Sequence, residues 1–311
     1  AKRKRLQRKG LEMLRQAGLT SRYCKGVMAL TDNDHANLAI AISARLLAPR
    51  LPTLCRVAHA ESAANMASFG TRHIINPYQH FGEYLALALH APHAYHLLTW
   101  LTGLPGTTIE RHRNPPRGPW VLCGYGSFGC VVVEALEREE VPLTIIDRQP
   151  SGKIVHPCVE GDATGAPALL AAGIQTAAGI VASTASDVDN LSIVVTAREL
   201  NPHLFTVLRQ NNYANRALFE AFDSDLTMVS SEIVAHECLA ILTTPLLVPF
   251  LDEVRRQDDV WPKALLEDLT SRFGWEVPAV WSVRLNLLQT PAVHRHLMRP
   301  GTTLALQTLL R

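Results

Sequence analysis

Residues 31–92 recur as residues 184–245, without a gap and at a constant offset of 153. TDNDHANLAIAISARLLAPRLPTLCRV, from Thr31, lies over TASDVDNLSIVVTARELNPHLFTVLRQ, from Thr184. Identical pairs include Asp34/Asp187, Asn37/Asn190, Leu38/Leu191, Arg45/Arg198, Pro49/Pro202, Arg56/Arg209 and Phe69/Phe222. With a two-residue adjustment the match reaches back to LRQAGL (14–19) over LLAAGI (169–174). A chain built this way holds two copies of one supersecondary unit, and its fold must satisfy both. Each copy opens on a short apolar strand (GVMALT; GIVAST) and then an aspartate suited to cap the next helix. That helix carries apolar residues at helical spacing: Leu38, Ala41, Ile42 and Leu46, or Leu191, Val194 and Val195. A proline ends it. A second strand (TLCRV; FTVLR), a helix, a short strand (RHII; DLTMV) and a long apolar helix (FGEYLALAL; IVAHECLAIL) complete the unit. Strands alternating with helices predict parallel βαβ units in a sheet covered on both faces.

The copies differ in what precedes them. The second follows a full front half: strand WVLCG, helix SFGCVVVEALERE, strand PLTIID, the short CVEGDAT and helix PALLAAG. The first is preceded by a basic helix alone, so the chain is expected to begin inside its first domain. The expected fold is α/β, with two Rossmann-like parallel-sheet domains in tandem, the first incomplete at its N-terminus. Crossover helices and a partial C-terminal helical region complete it. The expected boundaries are residues 1–103 for the back half of the first domain with its crossover helices, and 104–119 for a linker rich in Gly, Pro and Arg. A complete domain spans 120–250, and 251–311 form a C-terminal extension that begins a divergent lobe.

Composition narrows the classes. Of 311 residues 47% are apolar and 19% charged, a globular balance. A net charge of +2 gives no reason to invoke nucleic acid. The exception is AKRKRLQRK at the start, with six positive charges in nine residues, which reads as a solvated helix face or linker. Six cysteines without a C-x-x-C pair fit buried thiols in a reducing compartment better than disulfides or zinc. No metal site is expected, since the acidic residues toward the C-terminus lack EF-hand spacing. The apolar stretches 85–104 and 239–251 contain prolines, and the first also three histidines, so both read as buried or interface helices and not as membrane spans.

VLCGYGSFG, Val121 to Gly129, is an apolar strand running into Gly-x-Gly-x-x-Gly. In that setting Gly124 permits the tight turn, Gly126 lets backbone approach a phosphate, and Gly129 lets helix pack on strand. Free N–H groups and the helix dipole then make an anion site. The strand TIID ends at Asp147, eighteen residues past Gly129, where a carboxylate accepts ribose hydroxyls and repels a 2′-phosphate; a plain strand-end cap is the other reading. Arg148 beside it complicates that preference without reversing it. The turn residues Gly124, Tyr125, Gly126, Ser127, Phe128 and Gly129, with Asp147 and Arg148, are thus candidates to bind an adenine nucleotide.

GYGSFG, IID, EGDAT (160–164), IVAST (180–184), DNL (189–191) and a strand ending at Arg209 together resemble the TrkA-N or RCK domain family, cytosolic regulators of potassium conductance. The resemblance covers 120–245 and, through the repeat, 11–92. It implies that Asp162, Ala163 and Thr164 line the adenine side, that Ser183 and Thr184 face the phosphates, and that Arg209 offers charge to an anion. Arg56 keeps the same arginine in a copy without a phosphate loop, so helix or interface pairing stays open for Arg209. Asn37 and Asn190 read as structural caps. The ligand implied is NAD(H) or ADP/ATP. The helices after the last strand are expected to cross to a partner, building a homo-oligomer, either a dimer or a ring of eight domains. The expected function is a non-enzymatic gating module of a potassium channel or transporter at the cytoplasmic face of the membrane. Its pore would lie on a missing N-terminal part or on another chain. An NAD-dependent oxidoreductase, or an assembly module with an empty pocket, are the alternatives.

Overall fold

A computed structural model describes residues 11–108, 113–150, 154–244, 246–280, 286–288 and 290–299; the basic stretch 1–9 lies outside them. The first copy forms β1 (Val27–Ala29), α1 (Asp34–Leu47), β2 (Thr53–Arg56), α2 (Ala60–Ser68), β3 (His73–Ile75) and α3 (Pro77–His90), followed by α4 (Pro92–Thr102). The glycine-turn region forms β4 (Trp120–Cys123), α5 (Ser127–Arg138), β5 (Leu143–Asp147), β6 (Cys158–Glu160) and α6 (Ala166–Ala171). The second copy forms β7 (Gly179–Ala182), α7 (Asp187–Leu200), β8 (Phe205–Gln210), α8 (Arg216–Ala221), β9 (Leu226–Val229) and α9 (Ser230–Thr243). Helices α10 (Leu247–Arg256), α11 (Val260–Phe273) and α12 (Pro291–Leu297) follow. The offset of 153 holds to the residue at both ends of α1 against α7 and of α3 against α9.

Both sheets are parallel. One has the order β1-β2-β3, the other β6-β5-β4-β7-β8-β9, so β1-β2-β3 repeats β7-β8-β9. In the larger sheet the chain order reverses between β4 and β7, and the cleft lies beyond the carboxyl ends of these strands, at this switch point.

The helix caps differ from the expectation. Asn33 caps α1 by accepting the Ala36 N–H, and Ser186 caps α7 by accepting that of Asp189. Asp34 and Asp187, one residue further on, reach across to the loop after the next strand. Asp34 accepts the N–H groups of Ala58 and His59, and Asp187 those of Asn211 and Asn212. Burial pushes both carboxyls up, but these hydrogen bonds outweigh it and hold both below the usual carboxylate range. Asn37 and Asn190 are fully buried. Each ties the end of its strand, at Thr31 or Thr184, to the end of the next, at Arg56 or Arg209. They are structural latches, as their type and position suggest.

The last helix of each copy packs away from its own sheet. Tyr78, Phe81, Leu85 and Leu89 of α3 enter the core formed by Trp120, Leu122, Phe128, Val132 and Leu136 on the second copy's side of the molecule. In return, Val234 and Cys238 of α9 cover Leu54 and Ile75 of the first sheet. Within this chain the two copies thus exchange cover through α3 and α9. Helices α10 and α11 pack with Val277 on α4, whose Trp100 indole N–H donates to the Glu276 carbonyl. The Asp259 carboxylate accepts the His93 and Ala94 N–H groups at the start of α4. Among the described residues no single helix is long and apolar enough to cross a membrane; α9 and α10 reach that size only together, across a 116° bend.

Leu85 tests the exchange, since it sits on the first copy's helix and is buried in the second copy's core. Leu85→Ala is expected to cost about 2–5 kcal/mol of unfolding free energy. Denaturant melts followed by tryptophan fluorescence, to which Trp120 in the same cluster contributes, check this.

Candidate functional site

The glycine turn at the end of β4 is shaped by two contacts. Gly124 has φ +98°, and its N–H donates to the Ile146 carbonyl at 2.8 Å. A Cβ on Gly129 would stand 2.2 Å from the Gly124 carbonyl oxygen, so α5 approaches the strand only because residue 129 has none. Gly126 is different. Its φ of −86° suits any residue, and a Cβ there would meet nothing within 4 Å. Internal packing gives no reason for glycine at 126; the space it leaves open adjoins the cleft. No side chain caps α5, so its first N–H groups lack intrahelical acceptors, and they carry the positive end of the helix dipole.

Gly124, Gly126, Ser127, Asp147, Arg148, Asp162, Ala163, Thr164, Ser183, Thr184 and Arg209 line one cleft of about 470 Å³ at the sheet's switch point. Asp147 accepts the Tyr125 N–H at 2.6 Å on one oxygen and the Gln149 N–H at 2.8 Å on the other. A carboxylate accepts about four hydrogen bonds, so Asp147 can fix the turn and keep one acceptor site per oxygen. The Thr164 N–H and hydroxyl, helped by Arg148, pull Asp162 down to about 2. Arg148 is engaged by two carboxylates, Asp162 at 2.9 Å and Asp189 at 3.1 Å, which directs its charge away from Asp147. Arg209 has no carboxylate within ion-pair distance among the described residues. It donates to the Tyr78 hydroxyl at 2.9 Å and lies over the Tyr78 and Phe128 rings.

Some candidates stand elsewhere. Phe128 is fully buried and packs on Tyr78 and Phe81, so its side chain belongs to the core. Gly129 is closed off by the Gly124 carbonyl, and Tyr125 packs against the core and touches the site through its N–H to Asp147. Ser183 is nearly buried, and its hydroxyl bonds the Cys123 and Gly124 carbonyls; it holds the turn in place and does not aim at a ligand. The Thr184 hydroxyl is likewise engaged, by Asn190 and the Ser186 carbonyl.

Three lining residues have no signal in the local sequence: Ala58, His59 and Tyr78. They come from the first copy and arrive by tertiary exchange. His59 Nε2 lies 3.3 Å from the Ser127 hydroxyl, and the ring's Nδ1 lies 3.0 Å from Asp34. A second cavity of about 560 Å³ lies between α3, α4 and α9. There His80 stacks on Tyr84 and sits 3.3 Å from Glu237. Burial, with Arg255 and His236 nearby, pushes His80 down to about 4, and burial raises Glu237, so both shifts work against a strong ion pair. All six cysteines are free thiols, and no metal-binding cluster occurs among the described residues.

A six-stranded parallel sheet in this order, with a glycine turn at the switch point and an acid ending the neighbouring strand, defines a Rossmann-type domain. The chain belongs to the TrkA-N domain family, which it matches over residues 10–77 and 120–230. It is 26% identical over 141 residues to potassium channel protein 1 of Methanocaldococcus jannaschii, covering 42% of each chain. It is 30% identical over 136 residues to the Trk system potassium uptake protein TrkA homolog of Pyrococcus horikoshii, covering 40% of this chain and 60% of that one. The chain thus spans about half the length of the curated relatives it matches. Its fold is similar to the solved GsuK bound to ADP, with TM-score 0.55 and 24% identity over 73% of this chain and 54% of that one. The GsuK channel bound to NAD gives TM-score 0.55 and 21% identity over 70% and 51%.

Gly126 and Gly129 should separate in a stability assay. Gly129→Ala is expected to destabilise by roughly 1–3 kcal/mol or more, and Gly126→Ala to stay within about 0.5 kcal/mol of the parent in chemical denaturation. For His80, the unfolded chain binds the extra proton between about pH 6.5 and 4 and the folded one does not. Stability is therefore lost as pH is lowered through that window, by up to about 3 kcal/mol, and levels off below it. His80→Gln is expected to flatten this part of the pH–stability curve.

Proposed function

We propose that this chain is a regulatory module of a potassium channel or transporter, whose second Rossmann domain binds an adenine nucleotide. The observation that carries this reading is Gly126. It is a glycine without an internal steric reason, facing open space at the uncapped start of α5, with the Asp147 carboxylate across the cleft. Phosphates would lie against the first turn of α5, as anions do at free helix N-termini. The ribose would lie at Asp147, which also disfavours a 2′-phosphate, and the adenine between Arg148 and the Asp162–Thr164 segment. NAD(H) and ADP/ATP share this half of their structure. Supporting the reading, the relatives are named as potassium channel and Trk uptake proteins, and GsuK is described with ADP and with NAD.

In this proposal the domains are 1–103, 104–119, 120–250 and 251–311, and the module works at the cytoplasmic face of a membrane beside a pore. Assembly into a homo-oligomer would carry ligand occupancy to that pore. The ligand shifts the gate only by its difference in affinity between the two states. The role is regulatory and not catalytic; oxidation of NADH with small ketones or aldehydes would overturn that part.

Calorimetry with ADP, ATP, NAD and NADH tests the ligand. At least one is expected to bind, and Asp147→Ala is expected to weaken it tenfold or more, from the ~1.5–3 kcal/mol of a charge-assisted hydrogen bond. Gly126→Ala, which keeps the fold, is expected to weaken it as well. No binding by any of the four would sink the nucleotide reading, and an unchanged Kd in Asp147→Ala would remove Asp147 as the ribose anchor.

A further inference from the structure

We propose that His59 of the first copy is a phosphate-binding residue of the second copy's cleft, so that the ligand's anionic end is gripped by both copies at once. This rests on the nucleotide reading above and extends it to a residue outside the glycine-turn domain. Three observations carry it.

His59 lines the same cleft as the glycine turn, and its Nε2 stands 3.3 Å from the hydroxyl of Ser127, the first residue of α5. That places the ring edge at the uncapped helix start, where a phosphate would sit. The ring is also aimed. Its Nδ1 lies 3.0 Å from the Asp34 carboxylate, which is itself nearly buried and fixed by the Ala58 and His59 N–H groups. With Nδ1–H donating to Asp34, Nε2 is the free edge. It accepts from Ser127 when unprotonated and donates to an anion when protonated. Finally, 62% of the His59 side chain remains exposed, so the ring is reachable from the cleft and is not a packing element.

Arg209, a cation at this end of the cleft, is positioned from the same side. The Tyr78 hydroxyl on α3 accepts from Arg209, and the Tyr78 ring lies under the guanidinium. Asn212, the repeat equivalent of His59, instead caps the short turn after β8 by accepting the Ala214 N–H, so the anion-facing role belongs to one copy alone.

Calorimetric or competition titration of ADP and of adenosine against the full chain and His59→Ala tests this. Adenosine keeps the base and ribose contacts and lacks the phosphates. His59→Ala is expected to weaken ADP about tenfold or more while leaving adenosine unchanged, as loss of a charge-assisted hydrogen bond requires. ADP bound equally well by His59→Ala would overturn the assignment. Equal losses for ADP and adenosine would do so too, marking His59 as a structural prop. If the parent chain bound neither, the nucleotide reading would fall and the role of His59 with it.

Discussion

A three-stranded sheet with helices on one side cannot bury its own two faces. In this chain the missing cover for β1-β2-β3 is α9, and α3 enters the core behind α5. Each of these helices is apolar enough to require burial, and each finds it against the other copy. A fully buried Leu, Val or Ile side chain contributes about 1.5–3 kcal/mol, so the contacts of Leu54, Ile75 and Val234 amount to several kcal/mol. With four large α3 side chains in the second core as well, neither copy keeps its packing when the other is removed.

The same exchange positions the cleft. Tyr78 lies in the first turn of α3, and its contact with Phe128 fixes where the first copy meets α5. From there the loop after β2, pinned by Asp34, can reach Ser127. The pinning is repeated in the second copy, where Asp187 fixes the loop after β8. Buried carboxylates and asparagines do the same structural work twice, and one copy adds a ring that faces a cleft.

Much of this was legible in the sequence, for a physical reason. The strand–helix alternation and the ungapped repeat fixed the elements, because period-3.6 and short apolar patterns report local burial directly. Gly124 and Gly129 were legible because only glycine meets their steric demands. The aspartates after β1 and β7 were misread as caps: from sequence, an aspartate beside a helix start looks the same whether it binds its own helix or a loop 24 residues away. Phe128 and Ser183 sit inside the motif, yet they turn inward to ring packing and to the Gly124 carbonyl. Ala58, His59 and Tyr78 were invisible, since no pattern around them marks what another copy will bring near.

Because the two pseudo-equivalent halves lie on one polypeptide, their association is unimolecular. Separate chains must find each other at the prevailing concentration, whereas tethered halves meet at an effective concentration set by the connecting segment. Dilution therefore does not dissolve the pairing. The tether also lets the halves diverge. Freed from identical sequence on both sides of the interface, each can specialise, one carrying the glycine turn and the other supplying side chains that line the cleft beside it.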